Sequence, residues 1–212
     1  MKKTTWMLSA AAVAAAAVLA GCASKPAPVA VKKDGELEIP VGYKTWPRFL
    51  PTIDRADVKQ VRDIYMNPVA TKAVKGEAFP QGSRFVMEIY AAAAEADGSL
   101  KKDAAGRLIK GNLMHVYVMG KEATWGGDVP EAVRNGNWIY AAYKPDGSAN
   151  PGIVGSCRGC HTPLKNDDYV FHYDRYFAER KASWTVDQIH AQAGVAAQVA
   201  DASALRTLAS AR

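Results

Sequence analysis

The chain has 212 residues, 49% hydrophobic and 23% charged, with five Trp and a formal charge of +6. That composition excludes wholesale disorder, and so mild a positive charge, without a basic helix or a basic–aromatic stripe, excludes nucleic acid as the expected partner. Once the leader described below is set aside, about 190 residues remain, enough for one ordinary domain and too few for two. There is no internal repeat, and no apolar run reaches the roughly 18–20 residues of a membrane-spanning helix.

Lys2 and Lys3 give a basic start, and Trp6 to Ala20 is an apolar run of 15 residues. This is the length of a signal-peptide core and too short to span a membrane stably. The run closes in Leu19-Ala20-Gly21-Cys22, which resembles a bacterial lipoprotein box and implies that Cys22 becomes the lipidated N-terminus. Ala23 follows the Cys, which resembles the outer-membrane sorting pattern. Such an anchor would hold the domain to a membrane surface facing the periplasm without spanning it. Residues 1–21 are therefore expected to be a signal peptide. Residues 22–36, rich in Pro, Ala and Lys, are expected to be a tether.

Further along, Val58, Val61, Ile64 and Tyr65 fall at helical spacing, which predicts a helix from Asp54 to Met66 ending before Asn67-Pro68. Arg84 to Tyr90 alternates, with Phe85, Met87 and Ile89 on one face and Val86, Glu88 and Tyr90 on the other, as in a strand. Residues 95–111 are polar and contain Gly, as a hairpin connection does. Leu113 to Met119 is a second strand. A third runs from Trp138 to Tyr143 and is closed by a Pro145-Asp146-Gly147 turn. A short helix is expected to begin around Cys157 to Pro163. Thr185-Val186-Asp187-Gln188 is a capping-box signature opening an Ala-rich helix over 181–212. The predicted class is α+β, a central antiparallel sheet with flanking helices, the folded domain covering 37–180.

Cys157-Arg158-Gly159-Cys160-His161 carries the chemistry. In an exported protein whose remaining Cys is lipidated, the pair has three readings. The favoured one is a single covalently attached heme c, with two thioethers from the thiols to the porphyrin vinyls and His161 under the iron. A thioredoxin-like redox pair or a Cys157–Cys160 disulfide is the second, although nothing βαβ-like precedes the motif. Half a zinc site is the third, and no second Cys or closely spaced His pair completes it. All six Met precede the motif. That order differs from small electron-carrying cytochromes c, in which a ligating Met follows. The strand patterns argue against a four-helix-bundle cytochrome.

A series of strings then occurs in order. They are Gly42-Tyr43-Lys44-Thr45-Trp46, Val61-Arg62-Asp63-Ile64-Tyr65-Met66-Asn67-Pro68, Phe79-Pro80-Gln81-Gly82-Ser83, Val86-Met87-Glu88-Ile89, Gly136-Asn137-Trp138, and Ser156-Cys157 to His161 followed by Asp168-Tyr169-Val170-Phe171. Together they resemble the cytochrome P460 family, which includes the β-sheet cytochromes c′. The resemblance implies a mainly antiparallel-sheet domain, often a homodimer, with one c-type heme. It also implies that His161 is the proximal iron ligand and that the distal site is open to small nitrogen oxides such as nitric oxide.

Two positions depart from the enzymes of that family. Met87 stands where their cross-linking Lys joins the porphyrin, and a thioether cannot form that amine bond. Met87 is then expected to pack in the core near the heme edge. Arg134 stands where the hydroxylamine-oxidising members carry a distal carboxylate, with Glu131 three residues earlier. Arg134 could donate to a bound nitrogen oxide but is a poor proton acceptor. Both departures favour ligand binding over oxidation of hydroxylamine or nitric oxide with electrons passing to a soluble cytochrome, which stays as the alternative. His115 is expected to be a satisfied structural His, His172 to pack or lie at the surface, and His190 to be solvated.

Overall fold

The computed structural model describes residues 29–181. Its centre is a five-stranded meander in which each strand pairs antiparallel with the next. The strands are β1 (Ile53–Arg55), β2 (Gln60–Met66), β3 (Arg84–Ala92), β4 (Lys110–Lys121) and β5 (Trp138–Tyr143). Then come helix α1 (Val154–His161), a 3-10 segment (Thr162–Asp167) and helix α2 over 173–181. The α+β class and the antiparallel sheet are as expected, and β5 has the expected bounds. The boundary drawn at 180/181 falls within α2, and the capping box at 185–188 and His190 lie outside the described residues.

The helix expected over 54–66 is instead β1, a 3-10 turn (Ala56–Val58) and β2. Within β2, Val61, Asp63 and Tyr65 are buried and their neighbours Arg62 and Ile64 are less so, a period of two. Val58, which helped define the apparent helical stripe, is exposed. The deciding interaction is not local. β2 pairs with β3 along its whole length, from Gln60 opposite Ala91 to Met66 opposite Phe85, and its Val, Ile and Tyr suit that pleated surface.

Partners across an antiparallel pair share a face, so the register fixes what lies where. One face carries the rows Met66–Phe85–Met119–Tyr140, Ile64–Met87–Tyr117–Ala142 and Arg62–Ile89–His115. Over the first of these rows packs an aromatic core that includes Phe49, Phe79, Trp138, Tyr173, Tyr176 and Phe177, closed by Val154 of α1. The opposite face packs Val86, Val118 and Ile139 under Leu37, Tyr43 and Trp125. Thus β3 is buried on both sides.

That second face also encloses two carboxylates directly opposite each other, Asp63 and Glu88. Glu88 accepts hydrogen bonds from the hydroxyls of Tyr43 (2.6 Å), Tyr90 (2.8 Å) and Tyr65 (3.3 Å) and lies 3.2 Å from Lys44 Nζ. Asp63 accepts from Thr52 Oγ1 (2.8 Å), Arg48 and Lys110. Burial pushes both acids up, but the donors around them outweigh it and hold both below the ordinary carboxylate range.

The outer edge of β5 is covered. Gly35 N–H donates to Tyr140 O (2.7 Å), Tyr140 N–H donates to Asp34 Oδ1 (2.9 Å), and Asn150 N–H donates to Ala142 O (2.8 Å). Trp125 Nε1 donates to Ala30 O (2.8 Å). The end of the segment that composition assigns to the tether, from Ala30 to Glu36, is therefore docked on the domain. Its composition is linker-like, but its backbone satisfies an otherwise open strand edge. No helix among the described residues is long and apolar enough to cross a membrane.

Candidate heme-binding site

Helix α1 begins at Val154, just after a 3-10 turn opened by Pro151, three residues before the first Cys of the motif. Val154 and Arg158, four residues apart, are its buried positions, so one stripe of the helix lies against the sheet. Cys157 and His161 occupy the adjacent stripe at the same four-residue interval and are half-buried, while Cys160 is exposed.

Arg158, one of the two variable residues of the motif, anchors this helix. Its guanidinium pairs with Asp34, with Nη2 2.9 Å from Oδ1, and also donates to Trp138 O (3.3 Å). It sits 5.4 Å from the Tyr140 ring centroid. Its carbonyl accepts from Thr162 Oγ1 (2.8 Å) and from Asn135 Nδ2 (3.3 Å). Asn135 is fully buried, donates to Tyr140 Oη (2.9 Å) and accepts from Thr162 Oγ1 (3.0 Å). Sequence reading passed over Asp34, Asn135 and Arg158. A variable position in a cysteine motif gives no local sign that it is buried, and its partner lies 124 residues earlier.

His161 Nδ1 lies 2.6 Å from the Tyr169 carbonyl oxygen. A carbonyl only accepts, so Nδ1 carries the proton and Nε2 keeps its lone pair, the tautomer of an imidazole that ligates through Nε2. Burial lowers the His161 pKa and outweighs the opposing effect of this hydrogen bond, which favours the neutral ring. The ring stands 5.1 Å from Tyr140 and meets Phe171 edge-on at 4.9 Å.

The acceptor is itself held. Asp168 and Tyr169 are consecutive non-glycine residues with positive φ (49° and 61°). This costly turn is fixed by the Asp168 carboxylate, which accepts from Lys121 Nζ (2.7 and 2.9 Å) and Phe79 N–H (2.8 Å).

The sulfurs of Cys157 and Cys160 are not bonded to each other. Burial, followed by the nearby Asp34 charge, pushes the Cys157 thiol up to about 11, and its Sγ lies 3.7 Å from Ile153 O. Among the described residues no group of three or more His, Cys, Asp or Glu is placed to hold a metal ion, so the zinc reading gains no ligands. Two unbonded sulfurs, a neutral imidazole with Nε2 available, and a sheet face rich in apolar side chains together fit a heme. Cys157, Cys160 and His161 would hold it.

Met87 lies in the central strand on the face that carries Tyr117 and Tyr140, and it is half-buried between Ile64 and Tyr117. Arg134 and Glu131 are exposed. The Arg134 guanidinium turns back into its own loop, donating to Val129 O (2.8 and 3.0 Å) and Gly127 O (3.4 Å). His172 is exposed. His115 departs from expectation, because its Nδ1 is buried without a hydrogen-bond partner. Its ring stacks on Tyr117 (5.6 Å), so it is packed but not satisfied. A surface hollow of about 670 Å³ between residues 47–51 and α2 includes none of these residues. The candidate chemistry follows the donor set, not this hollow.

The family model described as Cytochrome P460 matches residues 40–172, more than half of the chain and inclusive of the cysteine motif and Tyr169. No curated protein matches the chain.

Proposed function

Because the chain belongs to the cytochrome P460 family, which implies a c-type heme cytochrome, we propose that it is a lipid-anchored, periplasm-facing cytochrome binding small nitrogen oxides such as nitric oxide at one open heme c. Cys157 and Cys160 are the thioether positions and His161 the proximal ligand. The observation that carries this reading is the Nδ1–H of His161 donated to the Tyr169 carbonyl, which leaves Nε2 for iron. When bound, the heme would supply an iron able to take a small nitrogen oxide. The chain supplies a fixed imidazole, an anchored helix and an apolar sheet surface that limits water.

Binding is favoured over oxidation of hydroxylamine or nitric oxide with electron transfer to a soluble cytochrome. Met87 offers no amine for a porphyrin bond. Arg134 is a poor base and already donates to two carbonyls of its own loop. Cys22 would carry the lipid, in the outer membrane. A homodimer accords with the resemblance.

The test is the visible spectrum of the ferrous protein, matured in a host that attaches c-type heme and titrated with nitric oxide. An ordinary high-spin c-heme spectrum that responds stoichiometrically to nitric oxide supports the proposal. A strongly red-shifted spectrum like that of the P460 enzymes, with reduction of an added acceptor by hydroxylamine, would put the oxidase reading in its place. A colourless product would return the motif to a disulfide. His161→Ala should keep the heme covalently bound but change its axial ligation, and an unchanged spectrum excludes His161 as the ligand.

A further inference from the structure

The sheet face beneath the cysteine motif carries a buried imidazole nitrogen without a partner and a half-buried cation without a paired anion. Arg62 and His115 lie in one cross-strand row, separated by Ile89, and Tyr117 lies in the next row. His115 Nδ1 is buried with no partner, and a buried donor left without an acceptor is costly. Arg62 is half-buried, and its guanidinium donates to the neutral Gln60 Oε1 (2.8 and 3.2 Å). Among the described residues it has no carboxylate within ion-pair distance. Asp57 is near enough to act on its charge but is held by Arg55 through two hydrogen bonds (2.9 and 2.6 Å). Arg62 is also within electrostatic reach of Tyr117 and Cys160, as Tyr117 is of Cys157. A half-buried cation, an orphaned imidazole nitrogen and a phenol whose ring stacks 5.6 Å from that imidazole share one sheet face without a paired anion, as in a site that lacks its ligand.

We propose that Arg62, His115 and Tyr117 form an oxyanion site on the heme-bearing face, taken by a carboxylate group of the porphyrin itself. The proposal rests on the heme reading above. A carboxylate would accept from the Arg62 guanidinium, from His115 with its proton on Nδ1, and from the Tyr117 hydroxyl, satisfying three donors together. A free oxyanion such as nitrite has the same chemistry and is the other source of ligand.

The experiment compares Arg62→Gln, Arg62→Lys and His115→Phe with the parent, each matured with heme. Covalent heme is first verified by heme staining after denaturing electrophoresis. A parent without heme defeats the heme reading and is thereby distinguished from failure of this one. Midpoint potential is then measured in buffer free of oxyanions, followed by nitrite titration of the ferric protein. Loss of a cation beside a heme carboxylate favours ferric iron, so Arg62→Gln should lower the midpoint, Arg62→Lys should restore most of it, and His115→Phe should shift it less. That pattern supports a porphyrin carboxylate. Unchanged potentials with nitrite bound about tenfold more weakly by both Arg62→Gln and His115→Phe, as expected for a lost charged hydrogen bond, would place a free oxyanion in the same site. Unchanged potentials and unchanged nitrite affinity in heme-loaded variants overturn the proposal.

Discussion

The role proposed for His161 as an iron ligand depends on one main-chain oxygen. The Tyr169 carbonyl selects its tautomer and fixes its ring, and that carbonyl points correctly because Asp168 and Tyr169 accept left-handed backbone angles. Gly136, with φ +56°, belongs to the same assembly. A Cβ there would stand 3.3 Å from Tyr169 Cε2. Gly136→Ala should therefore destabilise the domain by about 1–2 kcal/mol from backbone strain alone. It should also move the ferrous heme spectrum by displacing Tyr169, whereas a remote loop Gly such as Gly98, with nothing within 4 Å of its missing Cβ, should affect stability only. Paired urea titrations and spectra of the two variants separate these effects.

Glu88 gives the residue scale a pH dependence. It and Asp63 titrate below their ordinary values in the folded chain. The stability they contribute is fully present above the ordinary carboxylate range, about pH 4, and is lost as pH falls through the lower folded values. Glu88→Gln should be less stable at neutral pH, yet lose less on going from pH 6 to pH 3. Urea midpoints across that range measure the slope, and a parent and variant with parallel profiles would contradict the assignment.

Among the elements, α1 and β5 act as a unit. The helix carries the cysteine motif, the strand carries Tyr140, and Asp34 joins them by binding both the Tyr140 amide and the Arg158 guanidinium. Asp34→Ala leaves a buried Arg unpaired, and removing one partner of such a pair costs about 3 kcal/mol. Arg158→Met in the same chain removes the stranded charge and should recover much of that loss. Chemical denaturation of the two single variants and the double variant closes the cycle. If Asp34→Ala is silent, the docked segment has no part in holding α1.

For the whole molecule the sheet separates two kinds of interior. One face holds the aromatic core and the cysteine motif, the other the Glu88–Asp63 network, and β3 supplies both. The described residues form one domain, and the proposal that it is attached to a surface rests on the sequence at Cys22. Cys22→Ser should shift the protein from the membrane pellet to the soluble fraction without altering the heme spectrum. Retention in the pellet would refute the lipid anchor.

The sequence by itself determined the family, the α+β class and the strands at 84–90, 113–119 and 138–143. A family's ordered strings are read locally, and a half-buried strand writes its period into its side chains. Tertiary structure decided the rest. β2 looked helical because Val58, Val61, Ile64 and Tyr65 fall at helical spacing, but Val58 lies in the preceding turn and Ile64 faces away from Val61 and Tyr65, an alternation that only pairing with β3 selects. The orphaned nitrogen of His115, the carbonyl that orients His161, and the Asp34–Arg158 pair across 124 residues depend on which groups the fold brings together and which it leaves without a partner. Desolvation makes those pairings matter, and desolvation exists only once the chain has closed around them.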